Sequence, residues 1–413
     1  NKLLPFLPLP LVQILLGIVI GLFLPNTDFH LNTELFLALV IGPLLFRESE
    51  EADITAILKH WRIIVYLIFP VIFISTLSLG GLAHLLWLSL PLAACLAVGA
   101  ALGPTDLVAF ASLSERFSFP KRVSNILKGE GLLNDASGLV AFQVALTAWT
   151  TGAFSLGQAS SSLIFSILGG FLIGFLTAMT NRFLHSFLLS VRATDIASEL
   201  LLELSLPLVT FFLAEEVHVS GIIAVVVAGI LKASRFKKIT LLEAQVDTVT
   251  ETVWHTVNFM LNGSVFVILG MELEMIAEPI LTNPINNPLL LLVSLIVLTF
   301  VLFAIRFVMI YGYYAYRTRR LKKKLNKYMK DMLLLTFSGV KGTVSIATIL
   351  LIPSNLEQEY PLLLFLVAGV TLVSFLTGLV VLPHLSDEQE ESKDYLMHIA
   401  ILNEVTIELE KEL

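Results

Sequence analysis

The stretch KGEGLLNDASGLVAF, residues 128–142, is a hydrophobic helix sequence that carries two carboxylates and one amide. Glu130 and Asn134 are four residues apart and project from one helix face, whereas Asp135 is turned by about 100° from Asn134. A charged side chain at bilayer depth costs about 2.5 to 3.5 kcal/mol, so it is by default functional or paired. The pattern therefore predicts one helix face that meets a structural partner and a neighbouring face that lines a cavity.

The composition of the whole chain places this helix in a membrane. Of the 413 residues, 56% are hydrophobic and only 14% are charged, whereas soluble domains are about a quarter charged. The net charge is −7, and the one strongly basic run, 317–330, lies between two apolar segments, so we interpret that run as a loop anchor. The sequence therefore predicts no broad basic surface, which argues against nucleic-acid binding. Cys95 is the single cysteine. Because it can form neither an internal disulfide nor a thiolate metal site by itself, we interpret it as a packing residue.

About twelve segments of the chain are apolar over the roughly 20 residues that a helix needs to cross a bilayer. The predicted segments are 7–24, 32–46, 61–86, 89–113, 121–149, 160–184, 195–213, 219–233, 252–272, 288–315, 331–352 and 361–383. No cleaved signal peptide is needed to explain the first segment. Lys and Arg are absent from every second connection and clustered in the others. The positive-inside rule therefore predicts that the tail after Pro383 is cytoplasmic, and we expect this short acidic tail, 384–413, to contact cytoplasmic loops at most.

Two segments contain a break with polar residues, ALGPTDLVAF (101–110) and FSGVKGTVSIA (337–347). Pro104 lacks a backbone donor, and the neighbouring glycines relax the turn. Irregular backbone at membrane depth is tolerated only where it is buried in protein or lines a wet cavity. Secondary transporters place such breaks at the substrate site, in corresponding positions of two repeats. The breaks therefore predict two inverted repeats, with one further helix either preceding Asn1 or folded into NKLLPFLPLP.

Few polar residues lie inside the apolar segments. The charged ones near the breaks or in the helices beside them are Asp106, Glu130, Asp135, Arg306 and Lys341. Four others, Glu199, Glu203, His255 and Asn262, are expected to be structural or interfacial. A lone buried carboxylate readily holds a proton, and hard cations prefer carboxylate, hydroxyl and carbonyl oxygens. Such oxygens belong to Asp135, Asp106, Thr105 and the carbonyls near Gly103. A carboxylate that holds either a proton or a cation, but never both, couples their movements.

These motifs resemble those of the cation/proton antiporter-1 family, which includes NhaP-like bacterial antiporters and animal sodium/hydrogen exchangers. The similarity is carried by GPTDLVAF, KGEGLLNDASGLVAF, VLFAIRFVMIYGYY and FSGVKGTVSIA. The resemblance implies an all-α membrane protein of the NhaA-like antiporter fold, a polytopic bundle of about 12 to 13 transmembrane helices with inverted repeats and two crossed broken helices. It divides the transmembrane antiporter domain (1–383) into ion-transport core helices at about 61–149 and 288–383, dimerisation or scaffold helices at about 7–46 and 195–272, and a linker helix at about 160–184.

The resemblance also implies an ion-binding site. Asp135 matches the family's ion-binding aspartate, and Asn134 matches the asparagine before it. Thr105 and Asp106 match the pair at the first broken helix. Many relatives have serine at the position of Gly131, so a hydroxyl ligand seen in some members is absent from this chain.

Two further positions are assigned charged roles by the resemblance. Glu130 matches a glutamate that forms a buried structural ion pair with an arginine of the antepenultimate helix, here Arg306. Lys341 stands at the second break, where many members have arginine. The charge is kept but the bidentate fork is lost, and the sequence leaves the partner of Lys341 open.

The stretch PLLFRESEEAD (43–53) resembles the family's Pro-x-Leu-Phe-Glu motif, with one departure. Arg47 stands at the acidic position, and Glu48 follows one residue later. A role for Glu48 as a third carboxylate of the ion site is open. The favoured interpretation is a solvated charge at the membrane interface.

The implied function is secondary active antiport of a monovalent cation against H⁺, with Na⁺ as the first candidate and Li⁺ and K⁺ after it. In the wider superfamily, asparagine before the ion-binding aspartate is typical of electroneutral exchangers, so Asn134 predicts one-for-one exchange. The resemblance further implies a homodimer in the bacterial plasma membrane that serves pH and sodium homeostasis, in contact with lipid, cations and protons. No cofactor is expected.

Three alternatives differ in kind from a sodium/proton antiporter. A cation channel or a K⁺/H⁺ antiporter would also use polar broken helices. An intramembrane hydrolase using Ser137 would need a general base, but no His lies in that segment and no His-Glu-x-x-His signature occurs in the sequence. A purely structural or receptor role would leave the intramembrane carboxylates unexplained. We therefore do not expect the protein to be an enzyme.

Overall fold

A computed structural model of the chain describes residues 9–23, 33–52, 54–106, 109–110, 117–152, 156–190, 196–233, 241–282, 287–320, 322, 325–352 and 359–388. Nearly all of these residues are helical. The helices are α1 (Leu9–Phe23), α2 (33–50), α3 (Ile54–Lys59), α4 (Trp61–Leu86), α5 (Leu92–Ala101), α6 (Lys121–Thr151), α7 (Leu156–Ser190), α8 (Ile196–Glu216), α9 (Gly221–Ala233), α10 (Leu241–Thr282), α11 (Pro288–Arg320), α12 (Met329–Phe337), α13 (Thr343–Ile349) and α14 (Tyr360–Leu385). A 3₁₀ turn, Leu325–Tyr328, precedes α12.

The helices fall where the hydropathy pattern predicts them. Within the described residues, six are long and apolar enough to cross a bilayer: α4, α8, α11, α14 and the central parts of α7 and α10. The 42-residue α10 extends well beyond the predicted 252–272, because a helix can continue through polar residues outside the apolar stretch. The fourth predicted segment leaves the described residues at 107–108 and 111–113, as does the predicted tail from residue 389 onward.

The two predicted breaks are present and they cross. Helix α5 ends at Ala101, followed by the irregular backbone of Leu102 to Asp106. The second break separates α12 from α13. The backbone N–H of Asp106 donates to the carbonyl oxygen of Val340 at 3.0 Å, so backbone of one break pairs with backbone of the other. A β-carbon at Gly342 would lie 2.3 Å from Asp106 Oδ2, so the crossing requires glycine there.

The helices pack in two groups with the breaks in the first. Helices α4, α5, α6, α11 and α14 share one large apolar core, together with Ile280 of α10 and Ile349 of α13. Helices α2, α7, α8 and α9 pack against one another, and α1 lies along α10. Another apolar cluster contains Phe46 of α2, Leu139 of α6 and Ala347 of α13, so it joins the two groups beside the breaks.

Helix α2 contains one π-helical turn, Leu37–Ile41, which is closed by a hydrogen bond from the Gly42 N–H to the carbonyl oxygen of Leu37. A second π-helical turn, Leu67–Val71, lies in α4 at Pro70, whose missing N–H interrupts the α-helical ladder. A π-helical turn takes up one residue more than an α-helical turn. Hydropathy has no signal for such an insertion, and the sequence did not predict either turn.

One small antiparallel pair of strands accompanies the helices. Strand β1, Phe117–Ser118, pairs with β2, Asp387–Glu388, with Phe117 opposite Glu388. The pair ties the connection that precedes α6 to the residues that follow α14. It does not alter the all-helical class of the fold.

Candidate functional site

Asp135 lies in the middle of α6, which begins after Pro120 and ends at Gly152 in the left-handed conformation. The Asp135 side chain is only 3% exposed. Its Oδ1 atom is buried and has no hydrogen-bond partner among the described residues. Because an unsatisfied buried carboxylate oxygen is costly, it is a strong acceptor for a proton or a cation.

A small cavity of about 10 Å³ adjoins Asp135, which is close to the room that one water molecule needs. Its walls are otherwise largely apolar and come from both groups of helices. The lining residues are Leu37, Ile41 and Leu45 of α2, Leu139 of α6, Ile222 of α9, Val344, Ala347 and Thr348 of α13, and Leu351. Leu37 and Ile41 belong to the π-helical turn of α2. Asp135 therefore adjoins a small, apolar cavity between the two groups of helices.

Asp106 is held at the first break by its own backbone and side chain. Its Oδ1 accepts a hydrogen bond from the Ala109 N–H at 2.7 Å, as the N-cap of a helix does. The Asp106 carboxylate is 4% exposed and interacts electrostatically with Asp135. The structure thus brings both predicted ion-site carboxylates into one buried region.

Thr105 and Asn134 are linked directly. The Asn134 side-chain Nδ2 donates to Thr105 Oγ1 at 2.7 Å and to the Thr105 carbonyl oxygen at 3.3 Å. The Thr105 hydroxyl in turn donates to Glu130 Oε1 at 3.3 Å. Asn134 uses its amide as a donor, which a carboxylate at this position could not do, so it holds the broken backbone against α6. Both predicted residues lie beside Asp135, and both are already engaged in hydrogen bonds.

Glu130 and Arg306 form a bidentate ion pair between α6 and α11. Arg306 Nη1 lies 2.6 Å from Glu130 Oε1, and Nη2 lies 2.8 Å from Oε2. The Arg306 Nε donates to the carbonyl oxygen of Leu335, next to the second break, at 3.0 Å. Fork-to-fork pairing of this kind is both strong and directional. Through Glu130, the pair connects the first break to the second.

Lys341 finds its partners in the backbone rather than in a carboxylate. Its Nζ donates to the carbonyl oxygens of Gly103 at 2.8 Å and Pro104 at 2.5 Å. The residue is 2% exposed. The ammonium group therefore satisfies carbonyls that the end of α5 leaves without helical partners, and it complements the negative end of the helix dipole. The Gly103 carbonyl, which the sequence placed among the candidate cation ligands, is bound by Lys341 instead.

The position of Glu48 corrects the interpretation favoured from the sequence. Its Oε2 atom is buried and has no hydrogen-bond partner among the described residues. The Glu48 carboxylate also interacts electrostatically with Asp106 and Asp135. Neighbouring Arg47 points elsewhere, to Glu50 and Glu51. A solvated interfacial charge is therefore the wrong description, because the helix turns Glu48 toward the ion site and Arg47 away from it.

The other polar residues singled out in the sequence lie in helix contacts or at the surface. Glu199 pairs with His185 at 3.0 Å, and Glu203 pairs with Lys232 and accepts from Trp254 Nε1. Both agree with the expected structural role. His255 is exposed, and Asn262 has a buried Oδ1 without a hydrogen-bond partner in the described part of the chain.

Ser137 and Cys95 both have local structural contacts. The Ser137 hydroxyl donates to the carbonyl oxygen of Asn134 at 2.8 Å, within its own helix. Cys95 is fully buried in the apolar core, as expected of a packing residue. Gly131 is buried in α6 and contributes no hydroxyl to the site.

Comparison with known proteins places the chain among membrane transporters. A family model described as "Sodium/hydrogen exchanger, transmembrane" matches residues 1–386. The "Sodium, potassium, lithium and rubidium/H(+) antiporter" of Bacillus subtilis is 36% identical over 94% of this chain, and the protein of the same name from Bacillus pumilus is 35% identical over 95%. The chain spans 59% of the length of each of these two relatives.

The fold also matches a solved structure. The sodium proton antiporter MjNhaP1 from Methanocaldococcus jannaschii superposes with a TM-score of 0.64 at 18% identity, covering 91% of this chain and 92% of that one. This likeness confirms the predicted all-helical antiporter fold. The family match and the apolar helices together make the chain a multi-pass membrane protein.

Proposed function

The chain belongs to the sodium/hydrogen exchanger family, and on that premise we propose that it exchanges a monovalent cation for a proton across a membrane. The observation that carries the proposal is the buried Oδ1 of Asp135, which lacks a hydrogen-bond partner among the described residues, in a residue that adjoins a cavity of about 10 Å³. The family consists of transporters, and Asp135 is the carboxylate at which an ion would bind.

The chemistry of exchange follows from competition at Asp135. A buried carboxylate without a partner must be neutralised, either by a proton or by a cation, because an isolated charge is costly in a medium of low dielectric constant. Asp106 and the remaining acceptor capacity of Thr105 lie beside it and supply further oxygen for a dehydrated cation. Protonation of Asp135 releases the cation, and cation binding releases the proton. Flux of one species therefore drives the other.

We propose that alternating access arises from movement between the two groups of helices. The lining of the cavity supports this, because Leu37 and Ile222 come from the scaffold helices while Asp135 and Val344 come from the core helices. The core would comprise about 61–149 and 288–383, as expected from the sequence. A homodimer formed through the scaffold helices, and a cytoplasmic tail in a bacterial plasma membrane, complete the proposal on the basis of the family resemblance.

The proposed substrates are Na⁺ first, with Li⁺ and K⁺ as further candidates. The printed names of the two Bacillus relatives include sodium, potassium, lithium and rubidium, which supports a broad site. A largely apolar cavity beside Asp135, with the Gly103 carbonyl occupied by Lys341, provides few rigid oxygen ligands. Weak discrimination by size is the physical consequence.

Transport in proteoliposomes tests both the function and its stoichiometry. We expect Na⁺ or Li⁺ added outside to release protons from the lumen, with the direction reversing when the cation gradient is reversed. Asn134 cannot titrate, and Glu130 is neutralised by Arg306, so of these three residues of α6 Asp135 is left to alternate between one proton and one cation. The steady-state rate should therefore be the same at clamped potentials of either sign.

Two results would contradict this proposal. Cation flux that does not move protons would indicate a channel or a uniporter. A rate that changes with membrane potential in both directions, or a net current during exchange, would show that a second charge moves with the ion. Empty liposomes and heat-inactivated protein provide the background.

Glu48 should tune the affinity of the site without being essential. Neutralising one carboxylate that interacts with Asp135 removes about 1 kcal/mol of attraction for a cation, so we expect Glu48→Gln to raise the KM for Na⁺ roughly fivefold. Glu51→Gln is the matched control, because Glu51 lies three residues away, is exposed and pairs with Arg47. An unchanged KM in Glu48→Gln, or an equal rise in both variants, would remove Glu48 from the site.

A further inference from the structure

A basic cleft lies at one end of the bundle, away from the ion site. It has a volume of about 910 Å³ and lies between the first turn of α4, the last turns of α11 and the first turn of α6. Five cationic side chains line it: Lys59, Arg62, Arg122, Arg317 and Arg320. The cleft is thus built from residues distant in sequence that the fold brings together.

Little negative charge compensates these cations. Within the described part of the chain, Asp331 lies 3.7 Å from Arg122 and is the carboxylate that forms an ion pair in the cleft. Arg62 stacks on the Trp61 ring at 5.6 Å. Among the described residues, no ion pair is formed by Lys59, Arg62, Arg317 or Arg320. Like charges that converge on one cleft repel one another, so the arrangement favours an anion with several acceptor oxygens.

The cleft lies beside an exposed apolar stripe of α4. Trp61, Val65, Phe69 and Phe73 follow one another at intervals of four residues along α4, and all four are at least 40% exposed. This apolar stripe begins at the rim of the cleft and follows the part of α4 that is long and apolar enough to cross a bilayer. Tyr313 and Tyr316 line the cleft from α11, and aromatic residues are typical of the level of the lipid headgroups. A charged cleft that continues into an apolar stripe matches an amphipathic ligand.

We propose that this cleft binds the phosphate headgroup of an acidic glycerophospholipid, with its acyl chains along the α4 stripe. Arginine guanidinium groups bind phosphate oxygens in a bidentate manner, and basic pockets between membrane helices are suited to acidic headgroups. Five cations and one carboxylate fit a headgroup with two phosphates, such as that of cardiolipin, better than a headgroup with one. The apolar stripe selects a lipid over free phosphate.

Native mass spectrometry of the full chain in detergent tests the proposal, with cardiolipin, phosphatidylglycerol and phosphatidylcholine as probes. We expect bound cardiolipin to be retained most strongly and phosphatidylcholine least. Each neutralised cation should weaken cardiolipin binding about fivefold, the equivalent of about 1 kcal/mol, so the double variant Arg62→Gln/Arg317→Gln should lose roughly 25-fold. Inorganic phosphate at millimolar concentration should not displace the lipid.

Arg319→Gln is the matched control. Arg319 is exposed in the same last turn of α11, yet it does not line the cleft, so its loss should change cardiolipin binding less than twofold. Equal cardiolipin binding by the double variant and the parent would overturn the proposal, as would an equal loss in Arg319→Gln. Displacement of the lipid by phosphate would reassign the cleft to a soluble anion. Thermal unfolding in phosphatidylcholine checks that the double variant is folded, and Arg320→Gln provides a second, single substitution in the cleft.

Discussion

Asp135→Asn is expected to reduce cation-coupled proton movement in proteoliposomes to the level of empty liposomes, while the protein remains folded. The substitution keeps the shape of the side chain and removes the charge that alternates between proton and cation. Thermal stability in the absence of Na⁺ should be equal to or above that of the parent, because a buried carboxylate oxygen without a partner among the described residues is replaced by a neutral group. Loss of transport would then come from the missing charge alone.

A binding measurement separates this explanation from a general defect. An ion bound only to the folded state raises the free energy of unfolding by about 2.7 kcal/mol at one hundred times its Kd. The parent should therefore be stabilised by Na⁺ and Asp135→Asn should not. Asp331→Asn, which alters an aspartate paired with Arg122 outside the site, serves as the control and should retain both transport and stabilisation. Proton-coupled Na⁺ flux clearly above background in Asp135→Asn would remove this residue from the centre of the mechanism.

The second large effect concerns stability. Glu130→Gln and Arg306→Gln should each lower the free energy of unfolding by about 3 to 5 kcal/mol, because each leaves a buried charge without its partner. The double variant Glu130→Arg/Arg306→Glu should recover part of this loss. Recovery will be incomplete, because the hydrogen bond from Arg306 Nε to the Leu335 carbonyl oxygen disappears in the exchange. Thermal unfolding of the detergent-solubilised protein measures all of these differences.

Glu51→Gln again provides the comparison, this time for an ion pair at the surface. Glu51 is 58% exposed at its side chain and pairs with Arg47, and exposed pairs contribute about 0 to 1 kcal/mol. Its loss should therefore be small. If Glu130→Gln is as stable as the parent but transports nothing, Glu130 belongs to the ion site rather than to the scaffold around it.

Much of this site follows from the sequence because a membrane segment makes polar residues conspicuous. Asp106, Glu130 and Asp135 interrupt long apolar runs, and the insertion cost of a carboxylate marks each as paired or functional. Pro104 marks the first break through its missing N–H. The spacing of Glu130 and Asn134 predicts a shared helix face, and in the structure both side chains contact Thr105.

Other parts of the site depend on contacts that no local pattern encodes. Lys341 lies more than two hundred residues from the Gly103 carbonyl that it binds, and a carbonyl carries no residue-specific signal. Because many relatives have arginine at the position of Lys341, a carboxylate was the partner to expect for this side chain. The burial of Glu48 depends on the rotation of α2 about its own axis, which the unpredicted π-helical turn changes. The residues of the site could therefore be predicted from the sequence. The contacts between the two breaks and the rotation of α2 about its axis could not.

The π-helical turn of α2 determines the angle at which every later residue of that helix leaves the axis. Each residue of an α-helix advances the angle by about 100°, and Leu37–Ile41 contains one residue more than a regular turn. Replacing the π-helical turn by a regular α-helical turn of the same sequence, with the start of α2 fixed, would bring Arg47 to about the angle now held by Glu48, so a guanidinium would face Asp135 in place of a carboxylate. The charge that α2 turns toward Asp135 thus depends on the rotation of the helix about its axis as well as on which residues it contains. Related chains that gain or lose this turn must be compared in degrees about the helix axis, because a column-by-column alignment would pair side chains that point in different directions.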